Sequence, residues 1–294
     1  MPVKKRKIAF LFPGQGRIPQ GLPPTSDVGG RLFKLAAERG LPLQEWITSG
    51  SLDLLHRTEY AQPAVLIDSL AKEEALRGNG VKLGIVAGHS LGEYTALVSA
   101  GLLTPEEALL VVIERGRLMA RVEGGMAAIV KLPVEEMRAI CGRIGSGVAV
   151  ANYNGPRQVV ISGEQKALKE AVAAAEQAGG RAIPLRVSGP FHSPLMTETQ
   201  AALVPQIESL SFNPPSVPVV SSVSGEVETD PVRLKTLLLT QITACVRWVD
   251  VVNSLVASGV TCAVEVGPGE ILTGLGRRIT SQVQFVTFKE ALDG

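Results

Sequence analysis

Residues 84–101 read GIVAGHSLGEYTALVSAG, and no other stretch restricts the fold as much. Gly84–Ala87 is a short apolar run of the kind that forms a strand buried on both faces of a parallel sheet. From Leu91 to Ala100, apolar residues recur three and four apart, the period of one helix face. Between the two stands Gly88-His89-Ser90-Leu91-Gly92, a GxSxG pentad. A strand that runs straight into a helix must turn sharply, and such a turn pushes Ser90 out above the sheet. The flanking glycines let the backbone pass where a Cβ would clash. The helix N-terminus leaves free N–H groups beside the hydroxyl, suited to a developing oxyanion. The plainer alternative is a Gly-rich turn with Ser90 as a helix cap. The bare pentad is short enough to arise by chance, and the strand–turn–helix setting is what raises it to a candidate nucleophile.

Composition narrows the class. The chain has 294 residues, 45% hydrophobic and 19% charged, enough apolar material for a large core and unlike a disordered chain. The length fits one large domain, or a large one carrying a small one. With 29 basic and 28 acidic residues the net charge is +1, and only 4% of residues are aromatic. Neither a basic footprint nor stacking platforms for nucleic acid are present. Cys141, Cys245 and Cys262 are scattered and form no CxxC pair, so a reducing compartment is expected. His56, His89 and His192 are not at ligand spacing, so no metal site is expected. The N-terminal MPVKKRKIAFLFPGQG has a basic cluster, Lys4–Lys7, and then only five apolar residues before Pro13. That is too short for a signal-peptide core, and no stretch offers the ~18 apolar residues of a membrane span. A soluble cytoplasmic protein is expected, with Lys4–Lys7 a solvated tail and no membrane or nucleic-acid partner.

Along the chain, Ile8–Phe12 reads as a buried strand stopped by Pro13 and Gly14. Residues 17–30 are rich in Pro and Gly and read as loop. Helical patterns follow at 31–39 and 62–78. Thr104, Pro105 and Glu107 form a capping box that opens a helix running to about Arg121. Residues 122–187 have a separate rhythm: strand 126–132, helix 133–144, strands 148–152 and 158–162, helix 164–178, strand 182–187. This βαββαβ order is the ferredoxin-like arrangement. Afterwards an α/β pattern resumes, with strands at 217–223, 262–266 and 284–288 and helices at 195–209, 231–242, 248–258 and 270–280. The expected architecture is a discontinuous α/β domain, 1–121 and 188–294, interrupted by a small domain, 122–187.

A serine nucleophile needs a base. His192, in Ser188-Gly189-Pro190-Phe191-His192-Ser193, follows a strand and sits in a Gly/Pro loop where a strained catalytic conformation is plausible. A lone histidine is by default structural, and it is Ser90 that shifts His192 toward catalysis. His89 adjoins Ser90, so its ring points elsewhere, to pack or bond backbone. His56 lies in a polar stretch and reads as a surface residue.

Four ordered stretches carry a resemblance: LFPGQG, GHSLGEYTALVSAG, ERGRLM and GPFHSPLM, with VEVGPGEILTGL as a fifth. Together they span nearly the whole chain, which resembles the malonyl-CoA:acyl carrier protein transacylase family. The resemblance implies an α/β-hydrolase-like large domain with a ferredoxin-like insertion. It implies Ser90 as the acylated residue and His192 as its base. It implies the backbone N–H groups of Gln15 and Leu91 as oxyanion donors, and Arg115 as the clamp on the malonyl carboxylate. A guanidinium fork matches a carboxylate with two parallel charged hydrogen bonds and does not deprotonate. The plainer reading of Arg115 is a helix-surface ion pair.

The resemblance also implies that a main-chain carbonyl from Cys245-Val246-Arg247-Trp248, rather than an acid, accepts the other N–H of His192. Asp250 or Glu265 would be the acidic alternative. Phe191 resembles the malonyl-selective members, since a ring beside the base leaves little room for an α-methyl group. Two stretches depart from the family: Arg17-Ile18-Pro19-Gln20-Gly21 replaces the usual Ser-Gln continuation, and Ala244-Cys245 stands where Asn-Pro is frequent.

The activity implied is transfer of malonyl from coenzyme A to the phosphopantetheine thiol of an acyl carrier protein, in fatty-acid or polyketide synthesis. No cofactor of the enzyme's own is implied. A monomer is expected, and the closeness of the first and last motifs to the chain ends leads us to expect a free-standing protein. The alternatives are a serine acyl-thioester hydrolase, which Arg115 argues against, and a non-catalytic docking module, which an intact Ser90 and His192 argue against.

Overall fold

Strand β1 (Ile8–Phe12) sends alternate side chains into two apolar layers, which is why its run is apolar throughout. Phe10 and Phe12 pack with Leu66, Val86, Leu97 and Val112 on one side. Ala9 and Leu11 pack with Ile85, Ala87, Val251 and Leu275 on the other. The computed structural model in which this is seen describes residues 7–19, 21, 23–50, 53–187 and 189–293.

After β1 come α1 (Asp27–Glu38), α2 (Leu43–Ser49), α3 (Thr58–Gly78), β2 (Leu83–Gly88), α4 (Gly92–Ser99) and α5 (Pro105–Met119). Then follow β3 (Gly125–Val130), α6 (Val134–Ile144), β4 (Val148–Gly155), β5 (Gln158–Gly163), α7 (Gln165–Gln177) and β6 (Arg181–Pro184). The remainder is α8 (Thr197–Ser209), β7 (Val219–Val220), β8 (Val227–Glu228), α9 (Pro231–Thr240), α10 (Trp248–Ala257), β9 (Cys262–Glu265), α11 (Ile271–Ile279), β10 (Gln284–Thr287) and α12 (Phe288–Asp293).

Six strands form one sheet in the order β10-β9-β1-β2-β7-β8. Its neighbours pair parallel except β8, which is antiparallel to β7. The chain leaves β1 toward β2 on one side and reaches β9 on the other, so the carboxyl ends of these strands frame a crevice, the usual ligand position in such sheets. Four strands form a second, antiparallel sheet in the order β4-β5-β3-β6, drawn entirely from residues 125–184. One of its faces packs against α6 and α7 through Ile129, Met137, Ile140, Ile161 and Ala171. The other carries Met126, Ala128, Ala151 and Val160, which pack with Phe191, Met196 and Ile242. Val246 ties the sheets together: its N–H donates to Ala151 O at 2.9 Å and its carbonyl accepts from Tyr153 N at 2.8 Å.

The capping box forms as read: Thr104 Oγ1 accepts from Glu107 N at 3.2 Å, and Glu107 Oε2 accepts from Thr104 N at 2.8 Å. Several boundaries differ from the sequence reading. The loop read over 17–30 ends at Ser26, whose Oγ accepts from Gly29 N at 2.8 Å and starts α1 at Asp27. Burial of Leu32, Phe33 and Ala36 outweighs the ~1 kcal/mol that each of Gly29 and Gly30 costs a helix. Helix α3 begins at Thr58 rather than 62, and that extra turn reaches the site described below. Helix α2, strand β8 and helix α12 are too short to show a period in sequence. Of the basic cluster, Lys4, Lys5 and Arg6 lie outside the described residues. Lys7 is half-buried and its Nζ donates to Ser258 O at 3.0 Å, so it is not part of a solvated tail.

Candidate active site

Ser90 sits on the turn from β2 into α4 with φ 53°, in the left-handed region where a residue with a Cβ is strained by about 1–2 kcal/mol. The neighbouring strand holds the turn: His89 N donates to Phe12 O at 2.9 Å, and Gly92 N to His89 O at 3.0 Å. At Gly92 a Cβ would lie 2.0 Å from Phe12 O, so only glycine lets the turn lie this close to β1. Strain of this kind persists where the surroundings over-determine it, and functional sites are where it clusters.

His192 shares this left-handed backbone, φ 58°. It is brought 102 positions along the chain to put Nε2 2.6 Å from Ser90 Oγ. Its Nδ1 lies 2.9 Å from Ala244 O and 3.1 Å from Gln241 O. Both are carbonyl oxygens that only accept, so Nδ1 carries the hydrogen. Nε2 is then the bare nitrogen that accepts from the Ser90 hydroxyl, the tautomer a general base requires.

The orienting group is therefore main-chain, but it does not come from Cys245-Val246-Arg247-Trp248. The Val246 carbonyl accepts from Tyr153 N at 2.8 Å and the Arg247 carbonyl from Val251 N at 3.0 Å, and the carbonyls that face the imidazole are those of Gln241 and Ala244. The acidic alternatives are engaged elsewhere. Asp250 pairs with Arg247 at 2.7 Å, and Glu265 accepts from Leu272 N at 3.0 Å and Thr273 N at 2.7 Å.

Arg115 is 1% exposed, so the helix-surface ion pair is not what forms. At Gly116 a Cβ would stand 2.8 Å from Glu59 Cα, and its lack lets α5 close on the first turn of α3. There Arg115 donates to Gln62 Oε1 at 2.5 Å. Its other terminal nitrogen reaches Gln241 Oε1 and Ser90 Oγ, both at 3.3 Å. Its Nε is buried and has no hydrogen-bond partner among the described residues. The guanidinium thus rests on neutral amides, with Tyr94's ring 5.6 Å away, and among the described residues no carboxylate pairs with it.

A cavity of about 420 Å³ is walled by the Pro13–Ile18 loop, His89, Asn154, Leu185–Val187 and the start of α11; it borders the serine turn through His89, and Ser90, His192 and Arg115 are not in its wall. Gln15 lines it, its side-chain Oε1 accepting from Thr58 Oγ1 at 2.6 Å, and Leu91 is buried at the mouth of α4. His56 is exposed and lines the same cavity. His89 turns its ring away from Ser90 and packs it, as read from the sequence. Its Nε2 lies 2.8 Å from Asn154 Oδ1 and its ring tilts against Trp248 at 5.3 Å. Phe191 is 6% exposed, its ring folded back over Gly189 and packed with Met126, Ala128 and Val160.

Burial, then the Arg115 charge, then His89, push the His192 pKa down from 6.5 to about 3. A depressed histidine pKa keeps the base neutral as pH falls. The kcat/KM for acyl uptake is therefore expected to stay flat from pH 8 to about pH 5, measured by stopped-time intact mass. An acid limb near 6.5 would contradict it. The same group works against stability in acid. Its contribution is whole above about 6.5, the unfolded value, and drains as pH falls toward 3 while the unfolded chain takes up the proton.

Sequence reading missed Gln62, Glu93 and Gln241. Gln62 is a lone amide in the apolar run of α3, and Glu93 lies one turn after Ser90, both faint signals. Gln241 follows α9 with nothing local to mark it.

A serine hydroxyl hydrogen-bonded to a neutral imidazole at the carboxyl edge of a parallel sheet defines an enzyme of the serine-nucleophile class. Comparison with known proteins is narrower. The acyl transferase domain family model matches residues 33–289, and the chain belongs to that family. It is 38% identical to the malonyl CoA-acyl carrier protein transacylase of Bacillus subtilis (strain 168), over 97% of this chain and 94% of the relative. The acyl-carrier-protein S-malonyltransferase of Burkholderia pseudomallei 1710b superposes with a TM-score of 0.91 at 35% identity, covering 98% of this chain and 100% of that one. A malonyl-transacylase solved in complex with its type II PKS acyl-carrier protein superposes with a TM-score of 0.89 at 33% identity, over 98% and 99%.

Proposed function

We propose that this enzyme moves a malonyl group from coenzyme A to the phosphopantetheine thiol of an acyl carrier protein by way of a malonyl ester on Ser90. One observation carries the choice of acyl group: a buried guanidinium, short of a carboxylate and with an open Nε, stands 3.3 Å from the hydroxyl that would be acylated. A buried cation without its counter-charge is costly, and a substrate that brings a carboxylate supplies it.

His192 Nε2 takes the Ser90 proton while Oγ bonds to the thioester carbonyl carbon. The Leu91 N–H, at the head of α4, and the Gln15 N–H, in the loop after β1, would donate to the resulting oxyanion. The C–S bond breaks, and the coenzyme A sulfur leaves with the proton from Nε2. In the second half the carrier thiol gives its proton to Nε2 and its sulfur attacks the ester carbonyl. The C–O bond to Ser90 breaks and Oγ recovers the proton. The imidazolium formed midway faces the oxygen ends of the Gln241 and Ala244 carbonyls, which favour it. A malonyl carboxylate on Arg115 would cancel the charge that depresses His192, so the base strengthens once substrate is seated.

The acyl carrier protein named in the solved relative's complex is the partner this reading carries over. The residues before 122 and after 187 read as an α/β-hydrolase-like catalytic domain. Residues 122–187 read as the ferredoxin-like insertion, whose strand order across the sheet, second-third-first-fourth, supports the assignment. A cytoplasmic monomer with no cofactor of its own fits the same reading. No described helix is long and apolar enough to cross a membrane.

The test is a panel of acyl-CoA thioesters offered with and without holo carrier protein, read by intact mass. Malonyl should load onto the enzyme and pass to the carrier, and methylmalonyl should load poorly if the Phe191 ring limits the pocket. The discrimination expected from one methyl is about 10–200-fold. Release of free malonate in place of transfer would assign the chain to the thioester hydrolases instead.

A further inference from the structure

Glu93 is 2% exposed, lies one helical turn after Ser90, and forms no ion pair among the described residues. Four donors converge on its carboxylate. Ser221 Oγ at 2.8 Å and Ser222 N at 3.2 Å reach Oε1, while Ser222 Oγ at 2.6 Å and Gln241 Nε2 at 2.7 Å reach Oε2. Gln241, itself 1% exposed, is where the site's other members meet. Its Nε2 also donates to Ser90 O at 2.9 Å, its Oε1 accepts from Arg115 at 3.3 Å, and its backbone carbonyl faces His192 Nδ1 at 3.1 Å.

An amide side chain is nearly symmetric in shape, so its neighbours decide which end points where. Arg115 can only donate, and needs the oxygen. An ionised Glu93 can only accept, and needs the nitrogen. The two demands agree, and they agree only while position 93 is a pure acceptor.

We propose that Glu93 is a positioning residue for the substrate carboxylate: acting through Gln241, it keeps an amide oxygen turned toward Arg115 and so holds the guanidinium fork open to the incoming acid. The inference rests on the reading of Arg115 as the carboxylate clamp. Glu93 itself stays one amide away from Arg115, so the fork is left free for the substrate's carboxylate to pair with. In Glu93→Gln the new NH₂ would face Gln241 Nε2, donor against donor. Turning the Gln241 amide would relieve that contact but aim its NH₂ at Arg115, disturbing the clamp. The backbone carbonyls that orient His192 do not turn with the side chain.

The readout is the ratio of malonyl to acetyl uptake from their coenzyme A thioesters, with thermal unfolding as the folding control. In Glu93→Gln the ratio should fall about 10- to 100-fold, the scale of a lost hydrogen bond to a charged group, mostly through KM for the malonyl thioester. Gln241→Leu should lower the ratio similarly, and the double variant should be no worse than Gln241→Leu alone, because both act through one amide. Malonyl and acetyl uptake falling together in folded Glu93→Gln would show a merely structural role and overturn the proposal, as would an unchanged ratio or additive effects. If Glu93→Gln is not recovered folded, Glu93→Asp enters the same cycle, and additivity with Gln241→Leu overturns the proposal there too. Failure of the wild-type enzyme to acylate Ser90 with malonyl would instead refute the transferase reading, and is read separately in the same experiment.

Discussion

Ser90→Ala is expected to fold normally and to take up no acyl group from any coenzyme A thioester, with transfer reduced by about 10⁴- to 10⁶-fold. Alanine occupies the left-handed backbone at φ 53° with the same steric cost as serine, so the turn loses its chemistry and keeps its shape. His192→Ala should fall by a comparable factor, and the double variant little further. One proton moves between the two groups, held 2.6 Å apart, and either loss removes the same step. Intact mass before and after malonyl-CoA, with circular dichroism alongside, checks this. Acylation persisting in a folded Ser90→Ala protein would move the nucleophile elsewhere and end the mechanism.

Arg115→Ala is expected to divide the two acyl groups. Malonyl uptake should lose about 3–4 kcal/mol of transition-state binding, or about 10²- to 10³-fold in kcat/KM, because its carboxylate would enter a buried site with no cation. Acetyl brings no charge, so its uptake should hold or rise. The loss of the guanidinium also removes the second-largest cause of the depressed His192 pKa, so the acid limb for acetyl uptake should move upward in pH. Equal losses for the two thioesters would mean that Arg115 supports the serine turn through its contact with Ser90 rather than selecting substrate.

The further coupling to Glu93 gives these variants a second use. If Glu93 works through Gln241, its effect should vanish in an Arg115→Ala background, where no fork remains to be held open.

Much of the fold is legible in residue order because local causes produce it. The β2–turn–α4 unit follows from an apolar run, two glycines and a helix period within eighteen residues, and the α5 start follows from one capping box. The βαββαβ run of 125–184 was readable for the same reason. Where sequence reading slipped, the deciding interactions were distant or the elements short. Helix α1 starts early because of a serine cap and packing on α3. Two-residue strand β8 exists only as the partner of β7.

Chemical identity was settled along the chain: a hydroxyl between glycines, an imidazole in a Gly-Pro loop, a guanidinium on a capped helix, each marked by its own neighbours. Which groups answer to one another was not. The acceptors of the His192 N–H are Gln241 and Ala244 because β4 claims Val246. Arg115 has no carboxylate in its fork among the described residues because two glutamines occupy its terminal nitrogens and a glycine-tight helix contact holds it there, with Glu93 one amide away. Those are outcomes of packing between segments 50 to 150 residues apart, where a backbone carbonyl or an amide end leaves no trace in residue type.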